Sequence, residues 1–399
     1  MSGNPRVIII NNLELAREEL AKIGPDENGV KVMMNKAVFY TLKVESIPGK
    51  AANIIKQEML SKGGEAAVSR AALIHPHDPT DVLIMGTIKQ YKLLAVKLKM
   101  QPFGLAKLAE ELLAVINNLQ GFQPYELKCS PYSLPLGRRT LVMGILNVTP
   151  DSFTDGGKFY DLDLAVEQAK QMVLDGADII DVGGESTRPT ATPLDEISEL
   201  SRVLPVVEKL AKGIKVPISI DTYKATVARQ AIAMGAGIVN DIWGLRQDPD
   251  MVKTVAELGV PYIMMHNQQG TEYRDLMGDI LAFFREGINL AEAAGIKPEN
   301  IILDPGIGFG KTYQQNLEVM HRLGELRSLG KPILLGTSRK SVIGNTLNLP
   351  VDERVEGTSA TVALGIAHGA DIVRVHDTKE LVRVVRMTDA IVRWQHREE

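Results

Sequence analysis

From Leu141 to the C-terminus the chain alternates two patterns. Short, continuous apolar runs end in polar residues or glycine, and longer stretches with helical spacing of apolar positions follow them. The runs are Leu141–Val148, Ile179–Val182, Ile218–Asp221, Gly237–Ile242, Tyr262–Met265, Ile301–Asp304, Ile333–Leu335 and Ile372–Val375. The helical stretches between and after them include Leu162–Leu174, Glu196–Ala211, Ala225–Met234, Ile280–Ala294 and Leu381–Trp394. An unbroken apolar run suits a strand buried on both faces, and its alternation with helices predicts parallel β–α–β units. Eight such units in about 260 residues match the usual length, about 250, of a (β/α)8 barrel. An open doubly wound sheet shares the alternation, but the unusual residues separate the two. Asn147, Gly183, Asp221, Asn240, His266, Asp304, Ser338 and His376 all fall at or just after the C-terminal ends of the runs. A barrel gathers those ends at one mouth, where active sites are built, whereas an open sheet spreads them along an edge. The pattern predicts an α/β chain whose residues 138–399 form a TIM barrel.

Residues 1–137 read differently. Val38–Val44 alternates, Pro48-Gly49 marks a turn, and Ala51–Leu60 has helical spacing. Ala66–Ile74 and Val82–Met85 read as further strands, and Leu105–Leu119 as an amphipathic helix ending near Gly121. The prolines at 124, 131 and 135, closing with Gly137-Arg138-Arg139, read as a linker. The expectation is a small α/β domain, with a ferredoxin-like layout as the candidate and no assigned role. Its removal, residues 1–137, is expected to leave a folded, active barrel. His75 and His77 flank Pro76; two histidines alone are a weak metal signal, and a solvated turn is the better reading.

Composition narrows the class. With 45% hydrophobic and 24% charged residues in 399, the chain has ample material for a large core, which excludes disorder as its description. Forty-five Lys plus Arg against 49 Asp plus Glu leave a net charge of -4, so neither nucleic acid nor an anionic membrane is an expected partner. The single Cys129 excludes an intramolecular disulfide and a cysteine-based zinc site, and is expected to be a small buried side chain. Val7–Ile10 is too short for a secretory signal, and no window approaches the ~20 apolar residues of a membrane span. A cytoplasmic location is the expectation.

The strand ends carry the candidate chemistry. After the first run, Asn147–Gly157 is polar, glycine-closed and contains one aromatic, Phe153; it suits a loop that folds over a ligand, or equally an ordinary turn. The second loop, Gly183–Pro189, carries Arg188, whose rigid fork of donors suits a carboxylate or phosphate. Asp221, Asn240 and Asp304 each end an apolar strand, where an unpaired polar group is costly. Together they match a planar heterocycle with amino, ring N–H and carbonyl groups. Gly306-Ile307-Gly308-Phe309-Gly310-Lys311 fits neither the P-loop nor the dinucleotide-binding pattern, so it reads as a ligand-facing glycine loop. Ser338-Arg339-Lys340-Ser341 follows the seventh run and opens a helix whose free N–H groups could meet an anion. Arg374 and His376 alternate around Val375 and project to one side, two basic groups near Asn147 that suit a diphosphate. Their alternative is pairing with Asp371 or Asp377. His266 reads as a supporting or core histidine.

These motifs, in this order, closely resemble the dihydropteroate synthases of the pterin-binding barrel superfamily. The resemblance covers residues 139–399 and rests on Gly144–Phe153, Gly184–Pro189, Ser219–Thr222, Val239–Asp241, Asp304–Lys311, Ser338–Lys340 and Arg374–Asp377. Two features depart from the pattern. His266-Asn267-Gln268-Gln269-Gly270 differs from the family's usual Met-His-Met-Gln-Gly, and residues 1–137 lie outside the usual enzyme. The resemblance implies a transferase that condenses 6-hydroxymethyl-7,8-dihydropterin diphosphate with 4-aminobenzoate in folate biosynthesis, the step at which sulfonamides act. It implies that Asp221, Asn240, Asp304 and Lys340 hold the pterin, and that Asn147, Arg374 and His376 bind diphosphate with Mg2+, Asn147 touching the metal. Phe153, Thr187, Arg188, Pro189, Phe309 and Ser341 would frame the aminobenzoate. Asp155 would complete the closed site, with Asp304, Lys340, Asp155 and Arg188 as the catalytic set. A homodimer is implied too. A methyltransferase acting from a methylated folate to a corrinoid protein would keep Asp221, Asn240 and Asp304, but it needs neither the Thr187-Arg188-Pro189 loop nor the Ser338-Arg339-Lys340 run. A silent pterin-binding protein would have lost the diphosphate or aminobenzoate residues, all of which are present.

Overall fold

A computed structural model describes residues 3–121, 123–148, 158–185 and 194–394. The chain divides into two compact units, one ending at Gly121 and the other beginning at Phe122.

The first unit opens with two helices set by their caps. Asn12 Oδ1 accepts from the Leu15 N–H at 2.8 Å to start α1 (Leu13–Ile23), which ends at Gly24 with φ 86°. Asp26 caps α2 (Glu27–Ala37) in the same way. Then follow β1 (Phe39–Pro48), α3 (Gly49–Ser61), β2 (Glu65–Val68), α4 (Ala71–Ile74), β3 (Pro79–Thr87), α5 (Ile88–Leu98) and α6 (Leu105–Leu119). The sheet is antiparallel in the order β1-β3-β2. That is the order of the first three strands of a ferredoxin-like sheet; α6 follows α5 where that layout has a fourth strand. The stretch Ala66–Ile74 is not one strand. It leaves the sheet after Val68, because the Ser69 hydroxyl accepts from the Ala71 N–H and starts the single turn of α4, exposing Leu73 and Ile74. Ile55, Met59, Ile84, Tyr91, Leu94 and Ile116 form this unit's core.

The second unit begins earlier than the proline-rich stretch suggests. Residues read as a linker form a hairpin, β4 (Tyr125–Cys129) and β5 (Tyr132–Leu136), so the boundary lies at 121/122 rather than 137/138. Leu127, Cys129, Leu134 and Leu136 are buried against Leu141, Met143, Ile179, Ile238, Ile302 and Ile372, the inward residues at the start of the barrel strands. The hairpin thus closes the N-terminal end of the barrel. Cys129 is buried there as an apolar side chain.

Eight strands follow: β6 (Leu141–Asn147), β7 (Ile179–Gly183), β8 (Ile218–Asp221), β9 (Ile238–Asp241), β10 (Tyr262–Met265), β11 (Ile301–Asp304), β12 (Leu334–Leu335) and β13 (Ile372–Val375). They pair in parallel in the order β11-β10-β9-β8-β7-β6-β13-β12, and a parallel bridge between Leu303 and Ile333 closes the ring. The connecting helices are α7 (Lys158–Asp175), α8 (Glu196–Gly213), α9 (Ala225–Ala233), α10 (Met251–Leu258), α11 (Leu276–Ala293), α12 (Tyr313–His321), α13 (Ser341–Leu347), α14 (Val355–Ala367) and α15 (Thr378–Val392). This is the (β/α)8 barrel that the alternation predicts. Period-two alternation divides each strand: Ile180 and Val182 pack outward on the helices, whereas Ile179 joins the inner cluster and Asp181 follows it inward. The inner column therefore changes from apolar to charged on going from the hairpin to the mouth. Among the described residues no helix is long and apolar enough to cross a membrane.

Candidate active site

The polar ends of the inner columns meet. Arg374, on β13, donates from Nε to Asp181 Oδ2 at 2.6 Å and from Nη2 to Asp221 Oδ2 at 2.7 Å. The same Asp181 oxygen accepts from Asn240 Nδ2 at 3.1 Å. Side chains from β7, β8, β9 and β13 thus form one network, and Arg374 pairs with neither Asp371 nor Asp377. Asp377 pairs instead with Arg339, and Asp371 accepts from the Ile333 N–H at 2.9 Å. The carboxylates and the cation have opposite effects on each other. Burial pushes the Asp221 carboxyl up to about 7, with the Asp181 charge adding to it and Arg374 opposing. Burial acts to lower the Arg374 pKa, but Asp181 and Asp221 together hold it above its usual range.

Across the mouth stand Asp304 and Lys340. Asp304 Oδ1 accepts from the Gly306 N–H at 2.7 Å, and burial raises its pKa against the pull of Lys340. Lys340 donates to the Ile307 carbonyl, its Nζ lies 4.7 Å from the Phe309 ring centroid, and burial lowers its pKa to about 8. Gly336 leaves room between these groups: a Cβ there would lie 3.9 Å from both Asp304 Oδ2 and Lys340 Nζ. Gly183 does the same on the other side, where a Cβ would lie 3.6 Å from Asp221 Oδ2 and 3.8 Å from Asn147 Oδ1. Asn147 itself is exposed.

The glycine loop is held from below. Gly306 has φ 66°, and a Cβ on it would sit 2.0 Å from the His266 carbonyl oxygen, so only glycine fits. Lys311 Nζ donates to the carbonyls of Gly306 and Phe309, both at 3.1 Å, and lies 2.9 Å from His266 Nδ1. Burial lowers the His266 pKa to about 3 and the Lys311 pKa to about 7. His266 is a supporting residue, as its sequence position suggests. The divergent stretch beside it is tied locally, with Gln268 Nε2 donating to the Glu272 carbonyl at 3.1 Å.

His376 lies beside Ser338. Its Nδ1 and backbone N–H meet Ser338 Oγ at 3.0 and 3.1 Å, and burial, reinforced by Arg374 and Arg339, depresses its pKa to about 4. In the ligand-free barrel these neighbours favour its neutral form. Ser341 is exposed at the start of α13. Phe153, Asp155, Thr187, Arg188 and Pro189 lie outside the described residues. What brackets the second loop is described: Lys224 Nζ is bonded to both Glu185 and Glu199, and Tyr223 donates to Glu185 Oε1 at 3.1 Å.

Asp181 is the site residue that the sequence reading passes over. It is buried within an apolar run, and the signal for it was its parity with Ile179 and Gly183, which places a carboxylate inside the barrel.

Fold and site together define a barrel enzyme for a polar heterocycle, built at the C-terminal strand ends, and the pterin binding enzyme family matches residues 143–376. The dihydropteroate synthase of Clostridium beijerinckii is 58% identical over 268 residues, 67% of this chain and 100% of the relative. A solved structure of the Xanthomonas albilineans dihydropteroate synthase with 7,8-dihydropteroate is 39% identical, with a TM-score of 0.63, over 67% of this chain and 98% of that one. The chain belongs to the dihydropteroate synthase family, whose members are transferases. Similarity extends through the first unit in a probable bifunctional folylpolyglutamate synthase/dihydropteroate synthase of Halobacterium salinarum, which is 40% identical over 96% of this chain and 46% of the relative.

Proposed function

We propose that the barrel condenses 6-hydroxymethyl-7,8-dihydropterin diphosphate with 4-aminobenzoate, releasing diphosphate and forming 7,8-dihydropteroate. The observation that carries this reading is the facing arrangement of Asp221, Asn240 and Arg374 on one side and Asp304 and Lys340 on the other. Three acceptor groups and one ammonium surround a space that two glycines keep open. That donor and acceptor set fits a pterin edge with its amino and ring N–H groups. Arg374, Asn147 and His376 would bind the diphosphate on this reading.

Mg2+ fits this donor set in one way. Among the described residues no group of three His, Cys, Asp or Glu forms a cage, whereas Mg2+ commonly takes one or two protein ligands and completes its shell with water and substrate phosphates. The exposed Asn147 amide oxygen suits such a metal arriving with the diphosphate. When bound there, Mg2+ would stabilise the leaving charge. The chain's own residues do the rest. Asp304 and Lys340 orient the ring. The C–O bond to diphosphate breaks with its electron pair leaving on the diphosphate oxygen, and an ionised Asp304 stabilises the positive charge left on the pterin. The neutral arylamine nitrogen attacks the methylene carbon, forms the C–N bond and loses a proton to the departing diphosphate or water. Phe309 and Ser341, with Phe153, Thr187, Arg188 and Pro189, would frame the aminobenzoate, and Asp155 would help to close the site against water.

The test is dihydropteroate formation and diphosphate release by the purified chain with Mg2+ and both substrates. Product that requires both is expected, and Asp304→Asn is expected to lower turnover at least about tenfold. Pterin binding without product, or full turnover in Asp304→Asn, would overturn this reading.

A further inference from the structure

Asp181 has no role in the proposed reading, yet it lies at the centre of the network. It is fully buried, one inward position deeper than Gly183 on β7. A single oxygen, Oδ2, accepts from Arg374 Nε at 2.6 Å and Asn240 Nδ2 at 3.1 Å. Its other oxygen is buried and has no hydrogen-bond partner among the described residues. A carboxylate bound to a guanidinium offers only acceptors, so the part of Asn240 facing it must be the NH2 group. The Asn240 carbonyl oxygen is thereby turned away from Asp181.

We propose that Asp181 is a positioning residue that fixes the polarity of Asn240 and the rotamer of Arg374 together. This inference rests on the functional reading above. Without Asp181, the Asn240 amide can present either end to a ligand, and half of those orientations oppose an N–H donor with an NH2 group. Arg374 keeps Asp221 but loses the bond at Nε that holds its plane, so Nη2 and Asp221 can move together. One buried carboxylate therefore sets specificity for a donor-rich ring edge and places the cation intended for the leaving group. Removing it should weaken both steps without touching the aminobenzoate side.

The experiment measures binding of 6-hydroxymethylpterin by calorimetry and steady-state kinetics with both substrates. Asp181→Ala is expected to weaken pterin binding about tenfold or more and to lower kcat by a similar factor, with the KM for aminobenzoate within about twofold. Asp181→Leu keeps the interior layer filled, carries the same expectation, and replaces the alanine variant if that one does not fold. Asp181→Asn can keep an acceptor at the Oδ2 position and should recover pterin affinity to within about threefold. In an Asn240→Ala background, the effect of Asp181→Leu on pterin affinity should shrink at least about threefold without vanishing, because the path through Asn240 is gone and only that through Arg374 and Asp221 remains. Unchanged affinity and kcat in Asp181→Leu, or additive effects with Asn240→Ala, would overturn the inference. So would an aminobenzoate KM that rises in step with the pterin constant, which marks general damage. Pterin affinity is read without turnover, so a wild-type chain that forms no product overturns the functional reading and leaves the binding arms to decide this one.

Discussion

Gly336→Ala separates stability from substrate binding at one atom. The new methyl would lie 3.8 Å from Arg374 Cβ, 3.9 Å from Asp304 Oδ2 and 3.9 Å from Lys340 Nζ. All are ordinary van der Waals separations, so the ligand-free barrel accepts the methyl without moving a neighbour. Replacing glycine where the backbone tolerates alanine reduces the entropy of the unfolded chain and is worth about 0.4–1 kcal/mol of stability. For a domain of this size that is a rise in Tm of about 1–4 °C. The proposed pterin must touch both Asp304 and Lys340, and an atom equidistant from the two at 3.9 Å stands where its ring would pass. Forcing one methyl's worth of overlap costs about 1–3 kcal/mol. That corresponds to a pterin affinity weaker by roughly 5- to 150-fold. Calorimetric pterin binding and a thermal melt on the same preparation check both halves. Unchanged affinity with unchanged or raised Tm would refute the placement of the ring. A large fall in Tm would refute the premise that the space is open.

Three further outcomes follow from particular contacts. Asp221 is faced by Arg374, Asp181, Glu199 and Asp241, and burial holds its carboxyl up at about 7. Because the folded value is raised, ionising it opposes folding: its contribution to stability falls as pH climbs from the ordinary carboxylate range and levels off above about 7. Pterin affinity runs the other way, strengthening as the acceptor ionises, and a binding constant flat between about pH 6 and 8 would contradict this. Lys224→Met leaves the buried Glu199 and the half-buried Glu185 without their cation and should destabilise the barrel by about 3–5 kcal/mol in denaturant unfolding; a change below about 1 kcal/mol would show the ion pairs to be dispensable. Deleting residues 1–121 should leave a soluble barrel that binds pterin, whereas deleting 1–137 strips Leu127, Cys129, Leu134 and Leu136 from its base and should yield insoluble protein. Equal solubility of the two would mean that the hairpin is not part of the barrel's core.

The barrel was legible because strands buried on both faces leave unbroken apolar runs, and a parallel ring requires the polar interruptions to fall at one end. The hairpin was hidden by its own prolines. Pro131 sits between its strands and Pro135 inside β5, positions that in a sequence look like punctuation. The first helices carried signals that the apolar pattern does not weigh: Asn12 and Gly24 bracket α1, and Thr87 with Gln90 forms a capping box on α5. Within the site, Asp221, Asn240 and Asp304 could be read from their position at strand ends. Asp181 could not be read that way because it lies inside a run, where only the period of two distinguishes a buried interior carboxylate from a misplaced charge. The neutrality of His376 was illegible in principle. It depends on burial and on two arginines brought near it by separate elements.

The lowered pKa of His376 bears on how the leaving group is stabilised on the proposed reading. Asp181, Asp221 and Asp304 face Arg374 and Lys340, with Lys311 also acting on Asp304, and Arg374 is already bound to two carboxylates. A carboxylate-rich interior favours positive charge developing on a bound ring, and a guanidinium engaged by two carboxylates has less attraction left for a diphosphate. The two halves of the substrate thus make opposite demands on one cavity. They are met if Arg374 is joined, at the exposed rim where Asn147 lies, by positive charge that arrives with the diphosphate, while the carboxylates remain deeper around the ring. Adding a cation at His376 would therefore disturb the balance on the wrong side. His376→Lys should tighten the grip on released diphosphate, detectable as stronger product inhibition, and slow turnover rather than speed it. Faster turnover in that variant would mean that the leaving group, not the ring cation, limits the reaction.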